Sequence, residues 1–114
     1  MLRILILSSI SAFVIAVCAV AQDAFTNEQF LKLCGSDRDW CREHVISLVS
    51  ALNATNAIHP DQAQSCPPEN VPAKGQEITD KIIGWLNAHP EAQGRTDEES
   101  IEIALKALYP CKNK

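Results

Sequence analysis

The sequence predicts an all-α domain of four helices. Three observations lead there. Apolar residues recur at helical spacing in several stretches. No stretch sustains an alternation of apolar and polar residues. Capping and proline signals cut the chain into four helical segments. All three concern the chain after residue 21. Residues 1–21 hold 17 hydrophobic residues and a single charge, Arg3.

The opening segment has the layout of a cleaved secretory signal. Arg3 gives a positive start, Ile4 to Val20 is apolar apart from three serines, and Ala19-Val20-Ala21 offers the small residues a signal peptidase reads. A membrane anchor is the rival for an apolar run of this length. A lipoprotein would need Cys18, but Ile15-Ala16-Val17 lacks the small residue expected before it. Cleavage gives a signal at 1–21, an exported domain at 22–114, and no membrane contact afterwards. Cys18 leaves with the signal, and the odd count of five cysteines becomes four.

The first helix is expected from Asn27 to Cys34. Thr26 and Gln29 form a capping box, with Phe25 and Phe30 at the staple positions. Gly35 suits a left-handed stop. The second runs from Asp39 to Ala57 on the apolar period Cys41, Val45, Leu48, Val49 and Leu52, and Pro60 ends it. A proline-rich loop surrounds Cys66, and Pro72 is tolerable in the first turn of the third helix. That helix runs from Ala73 to Ala88 with Ile78, Ile82, Trp85 and Leu86 on one face, ending at His89-Pro90. The fourth runs from Asp97 to Leu108. Thr96 and Glu99 form its capping box, and three acids sit in its first turn.

In an exported chain, Cys34, Cys41, Cys66 and Cys111 form two disulfides. Short connections make neighbouring helices antiparallel. Cys34 and Cys41 then flank the first turn, while Cys66 and Cys111 lie at the opposite end. This geometry favours Cys34–Cys41 and Cys66–Cys111. A loop running back along the bundle would instead bring Cys41–Cys66 or Cys34–Cys111 together.

The 93 residues after the signal carry nine basic and 14 acidic side chains. They suffice for one domain, not two. An acidic chain without a basic cluster is a poor nucleic-acid binder. No metal site is expected, since there is no Cys-x-x-Cys pair and His44, His59 and His89 are scattered. No cofactor-binding loop and no catalytic constellation stand out, so an enzyme is the least expected class. His44 is read as a surface or capping residue, as are His59 and His89. The sequon Asn53-Ala54-Thr55 falls inside a helix and carries little weight. One site-like segment remains, the polar connection from His89 to Ser100, where Gly94 adds freedom. Glu91, Arg95, Asp97, Glu98 and Glu99 make it a candidate partner-binding loop.

The ordered motifs resemble one family. Cys34 ends one helix and Cys41 opens the next. Cys66-Pro67-Pro68-Glu69-Asn70-Val71 makes a Cys-Pro turn. Trp85-Leu86-Asn87-Ala88-His89-Pro90-Glu91 ends a helix, and Ala104-Leu105-Lys106-Ala107-Leu108-Tyr109-Pro110-Cys111 closes the chain. This set, across residues 25–111, resembles the Rap/Tai family of periplasmic immunity proteins. The resemblance implies a non-catalytic periplasmic protein that neutralises a peptidoglycan amidase effector delivered by type VI secretion. A loop, often presented by a homodimer, would plug the amidase cleft. Arg42, Glu43 and His44 replace the glycine and aromatic common early in the second helix of that family, and Ser47 and Ser50 also depart from it. Two other classes fit an exported helical domain. One is an acid-stress chaperone that loosens as carboxylates protonate. The other is a small hydrophobe carrier lined by Trp40 and Trp85.

Overall fold

A computed structural model describes residues 25–112. The expected signal at 1–21 lies outside them. Four α-helices form: α1 (Asn27–Ser36), α2 (Arg38–Ile58), α3 (Val71–Ala88) and α4 (Asp97–Leu108). Short 3-10 turns at Pro60–Gln62 and Pro90–Ala92 follow α2 and α3. Both begin with the proline that stops the preceding helix. Among the described residues no strand forms, only an isolated antiparallel bridge between Thr26 and Thr96.

The all-α expectation and the first capping box hold, while the second forms only by half, since the Glu99 side chain accepts from Arg95 N rather than from Thr96 N. Thr26 Oγ1 accepts from Gln29 N, and Gln29 Oε1 accepts from Thr26 N. Thr96 Oγ1 likewise accepts from Glu99 N. One stop signal fails. Gly35 stands inside α1, and the helix runs on to Ser36. Asp37 is the true boundary, because it serves both helices. Its N–H donates to Leu33 O at 2.7 Å, and its Oδ1 accepts from Trp40 N at 3.0 Å. An N-cap carboxylate for α2 thus ends α1 without a left-handed residue. Helix α3 begins two residues early, at Val71, with Pro72 in its first turn as anticipated.

The long helices α2 and α3 pack antiparallel along their length. Gly75 permits their close approach, since a Cβ there would overlap the Ile46 side chain. The shorter helices divide the remaining length. Helix α1 runs back along the first half of α2, tied by Cys34–Cys41. Helix α4 begins where α1 begins and runs toward the other end, tied by Cys66–Cys111. Both expected pairings are present. The two short helices therefore meet N-terminus to N-terminus. The core beneath holds Phe30, Val45, Val49, Ile78, Ile82, Leu86, Ile101, Ala104 and Leu105.

Two consequences for stability arise here. Gly84 lies mid-helix in α3, and an added Cβ meets nothing within 4 Å. Gly84→Ala should raise the unfolding free energy by about 1 kcal/mol through helix propensity, seen as a higher urea midpoint. On the same helix, Glu77 pairs with Lys81 at 3.2 Å and Lys74 at 3.4 Å. The Lys81 hydrogen bond, then Lys74, holds the Glu77 carboxyl below its ordinary value of 4.5. A depressed carboxyl stabilises above its unfolded value and loses that contribution as pH falls through the folded one. The stability difference between the native chain and Glu77→Gln should be present at pH 7 and vanish in acid. Screening by solvent keeps it small, since the Glu77 side chain lies on the surface. Urea midpoints at the two pH values measure it.

Candidate functional site

The junction of α1 and α4 organises the region that carries the expected loop. Two helix N-termini, each with positive partial charge, face one another there. Asp97, the first residue of α4, places a carboxylate at the start of its own helix, where the dipole favours it, and is only 3% exposed. Its carboxylate Oδ2 accepts from His44 Nε2 at 2.5 Å. The backbone closes around this pair. Asp97 N donates to Phe25 O at 3.0 Å, and Asn27 N donates to Arg95 O at 3.3 Å.

Aromatic side chains fix His44. Its ring stacks on Trp40 with centroids 4.8 Å apart, and Phe25, just before α1, and Phe30, within it, approach at 6.2 and 5.7 Å. The four-residue spacing of Trp40 and His44 puts both on one face of α2. His89 plays a different part. It caps the end of α3, its Nδ1 donates to Trp85 O at 2.8 Å, and its ring stacks on Trp85. His59 caps α2. The capping readings of His59 and His89 agree with this. His44 does not: it is a half-buried partner of a buried carboxylate.

The connection between α3 and α4 is held along its length. Gln93 Nε2 donates to Leu86 O at 2.8 Å, and Gln93 Oε1 accepts from Asn27 Nδ2. Gly94 N donates to Ser100 Oγ at 2.9 Å, and Arg95 N donates to Glu99 Oε2 at 2.8 Å. Gly94 does not loosen this segment as expected. It lies so close to α4 that a Cβ would overlap Glu99 Cβ and crowd Ser100 N at 3.0 Å. Glycine here serves close approach.

Of the five acidic or basic residues expected on this loop, Glu91, Arg95, Glu98 and Glu99 are exposed. Glu99 also helps close its own capping turn. Asp97 faces inward and presents nothing to a partner. The four exposed groups lie along the α3–α4 connection and the first turn of α4, where Glu98 borders Leu48 and Ala51 of α2. Phe25, 39% exposed, adds an apolar group beside them.

His44 Nε2 is engaged by Asp97, and the nearby Ser100 hydroxyl is fully buried against Gly94. Among the described residues no group of three or more His, Cys, Asp or Glu side chains is placed to hold a metal ion. Nor is any described helix long and apolar enough to cross a membrane.

Fold and site together define a small crosslinked helical domain with an acidic, well-tied connection between α3 and α4. A family model described as Rap1a immunity proteins matches residues 26–111, and the chain belongs to that family. No curated protein and no solved structure matches it. Membership places it among immunity proteins, which guard against a secreted toxin and are in general not enzymes. It also fits a secreted or periplasmic protein.

Proposed function

We propose that the mature chain, residues 22–114 after cleavage at Ala21, is a periplasmic immunity protein. It binds a peptidoglycan amidase delivered by type VI secretion and blocks its cleft with the α3–α4 connection. The observation that carries this reading is the anchoring of that connection at both ends and through its middle. A loop already held in place loses little freedom on binding, so more of the contact energy appears as affinity. Exposed carboxylates at Glu91, Glu98 and Glu99 suit a basic cleft and speed encounter. Blockade of this kind requires no chemistry from the inhibitor, in keeping with His44 and Asp97 being engaged with one another.

The hydrophobe-carrier alternative gains no support here, because Trp40 and Trp85 stack on histidines rather than line an enclosed cavity.

The test uses the mature chain and the amidase encoded beside it. The two should co-elute, and hydrolysis of peptidoglycan should stop. Reversing Glu91 and Glu98 to lysine should weaken inhibition at least tenfold, equivalent to about 1.4 kcal/mol, with the melting temperature unchanged. An amidase that neither co-elutes nor loses activity would sink the reading.

A further inference from the structure

Helix α1 has ten residues against 21 in α2, about 15 Å against 31 Å. Its N-terminus reaches only the level of His44, where Phe25 and Phe30 meet that ring. Beyond that level α4 takes over, but it leans on α3. The second half of α2 is therefore left without a close neighbour on one side. An open groove follows between α2 and α4, made of two adjoining cavities of about 270 and 240 Å³ that share Leu52, Thr55 and Glu102.

The groove has a distinct chemistry. Its floor is Leu48 and Leu52 from α2 with Ile101 and Leu105 from α4. Leu48 and Leu52, four residues apart on α2, keep part of their surface open and form a ridge for a third helix to pack against, whereas Ile101 and Leu105 are only 1% exposed and close the bottom of the groove. On the α2 rim Ala51 adds almost no bulk. On the α4 rim stand the exposed carboxylates of Glu98 and Glu102. Lys106 comes only at the far end. Glu98 also borders the α3–α4 connection, so loop and groove form one continuous surface.

We propose that this groove receives an amphipathic helical segment of the toxin, with apolar residues at three- and four-residue spacing and lysine or arginine along its edge. The proposal rests on the immunity reading above and adds a second contact to it. Charge selects the occupant. The rim is acidic, and the exported part of the chain carries nine basic against 14 acidic side chains, so a second copy would bring more of the same sign. A basic segment would be drawn in, by attraction that salt screens.

The experiment uses isotope-labelled residues 22–114 and a synthetic four-turn amphipathic helix of leucines flanked by lysines. The control replaces every lysine with glutamate. Binding should shift the amide resonances around Leu48, Leu52, Thr55, Ile101 and Leu105. It should weaken at least tenfold in the double variant Glu98→Lys, Glu102→Lys, and fade with salt. Ala51→Trp, at an exposed position, should fill the groove and abolish binding without unfolding the chain. Equal binding of the glutamate control, or shifts outside the groove, overturns the proposal. So does a concentration-dependent dimer that Ala51→Trp disperses, which would give the groove to a second copy.

The two readings fail separately. Suppose Ala51→Trp still inhibits the amidase fully while the loop variant does not. Then the groove proposal falls and the immunity reading stands. If the native chain fails to inhibit while the lysine peptide still binds the groove, the toxin assignment falls and the preference for a basic helix stands.

Discussion

Replacing Cys66 and Cys111 together by alanine should lower the unfolding free energy by about 4 kcal/mol. The bridge spans 45 residues, and the chain-entropy relation gives about that cost for a loop of this size. The Cys34–Cys41 bridge spans only seven residues and contributes about 2.4 kcal/mol on the same basis. Total stabilities of small domains are about 5–15 kcal/mol, so the longer crosslink decides whether the chain is folded. Few other ties hold that end. Cys66 N donates to Tyr109 O at 2.8 Å, Asn56 Nδ2 to Ser65 O at 2.9 Å, and Asn53 Nδ2 to Pro68 O at 3.0 Å. Urea unfolding of the mature chain measures the effect. A loss below about 1 kcal/mol would mean that these hydrogen bonds suffice without the bridge.

The second large effect is expected at the junction of α1 and α4. His44→Phe keeps an aromatic ring against Trp40 but leaves the Asp97 carboxylate buried without a partner. It should cost about 2–3 kcal/mol, the range for losing a buried hydrogen bond to a charged group. Adding Asp97→Asn to it should recover part of that loss, because the orphaned charge is then gone. Asp97→Asn alone should cost less than His44→Phe. The coupling between the two positions, read from a double-mutant cycle, should exceed about 0.5 kcal/mol. Simple additivity would show that Asp97 acts only on its own helix and that the contact with His44 contributes nothing.

The contrast between these two sites shows what could be read from residue order. Helix boundaries were legible wherever a side chain caps its own helix, as Thr26 and Thr96 do. They were misjudged at Gly35, where the deciding group was Asp37 acting on both sides of the boundary. Disulfide pairing was legible because four cysteines sit at helix ends and short turns restrict which ends meet. The site was only half legible. The polar run from His89 onward marked a surface segment, yet Asp97 looked like one of three equivalent acids. Its burial depends on two helix starts meeting, which residue spacing within one helix does not reveal. The same holds for His44, whose partner lies 53 positions away. The one local sign was Trp40 four residues earlier, marking that face of α2 as aromatic.

The meeting of Thr26 with Thr96 also sets an order of events. Seventy residues separate the two halves of that bridge. A chain emerging N-terminus first can form α1 and α2 early, since both lie within residues 27–58. It cannot dock α1 against α4 until residues 97–108 have appeared, nor close the second disulfide until Cys111 has. The Thr26–Thr96 junction and the Cys66–Cys111 bond thus both wait for α4, and the α3–α4 connection takes its final shape only then.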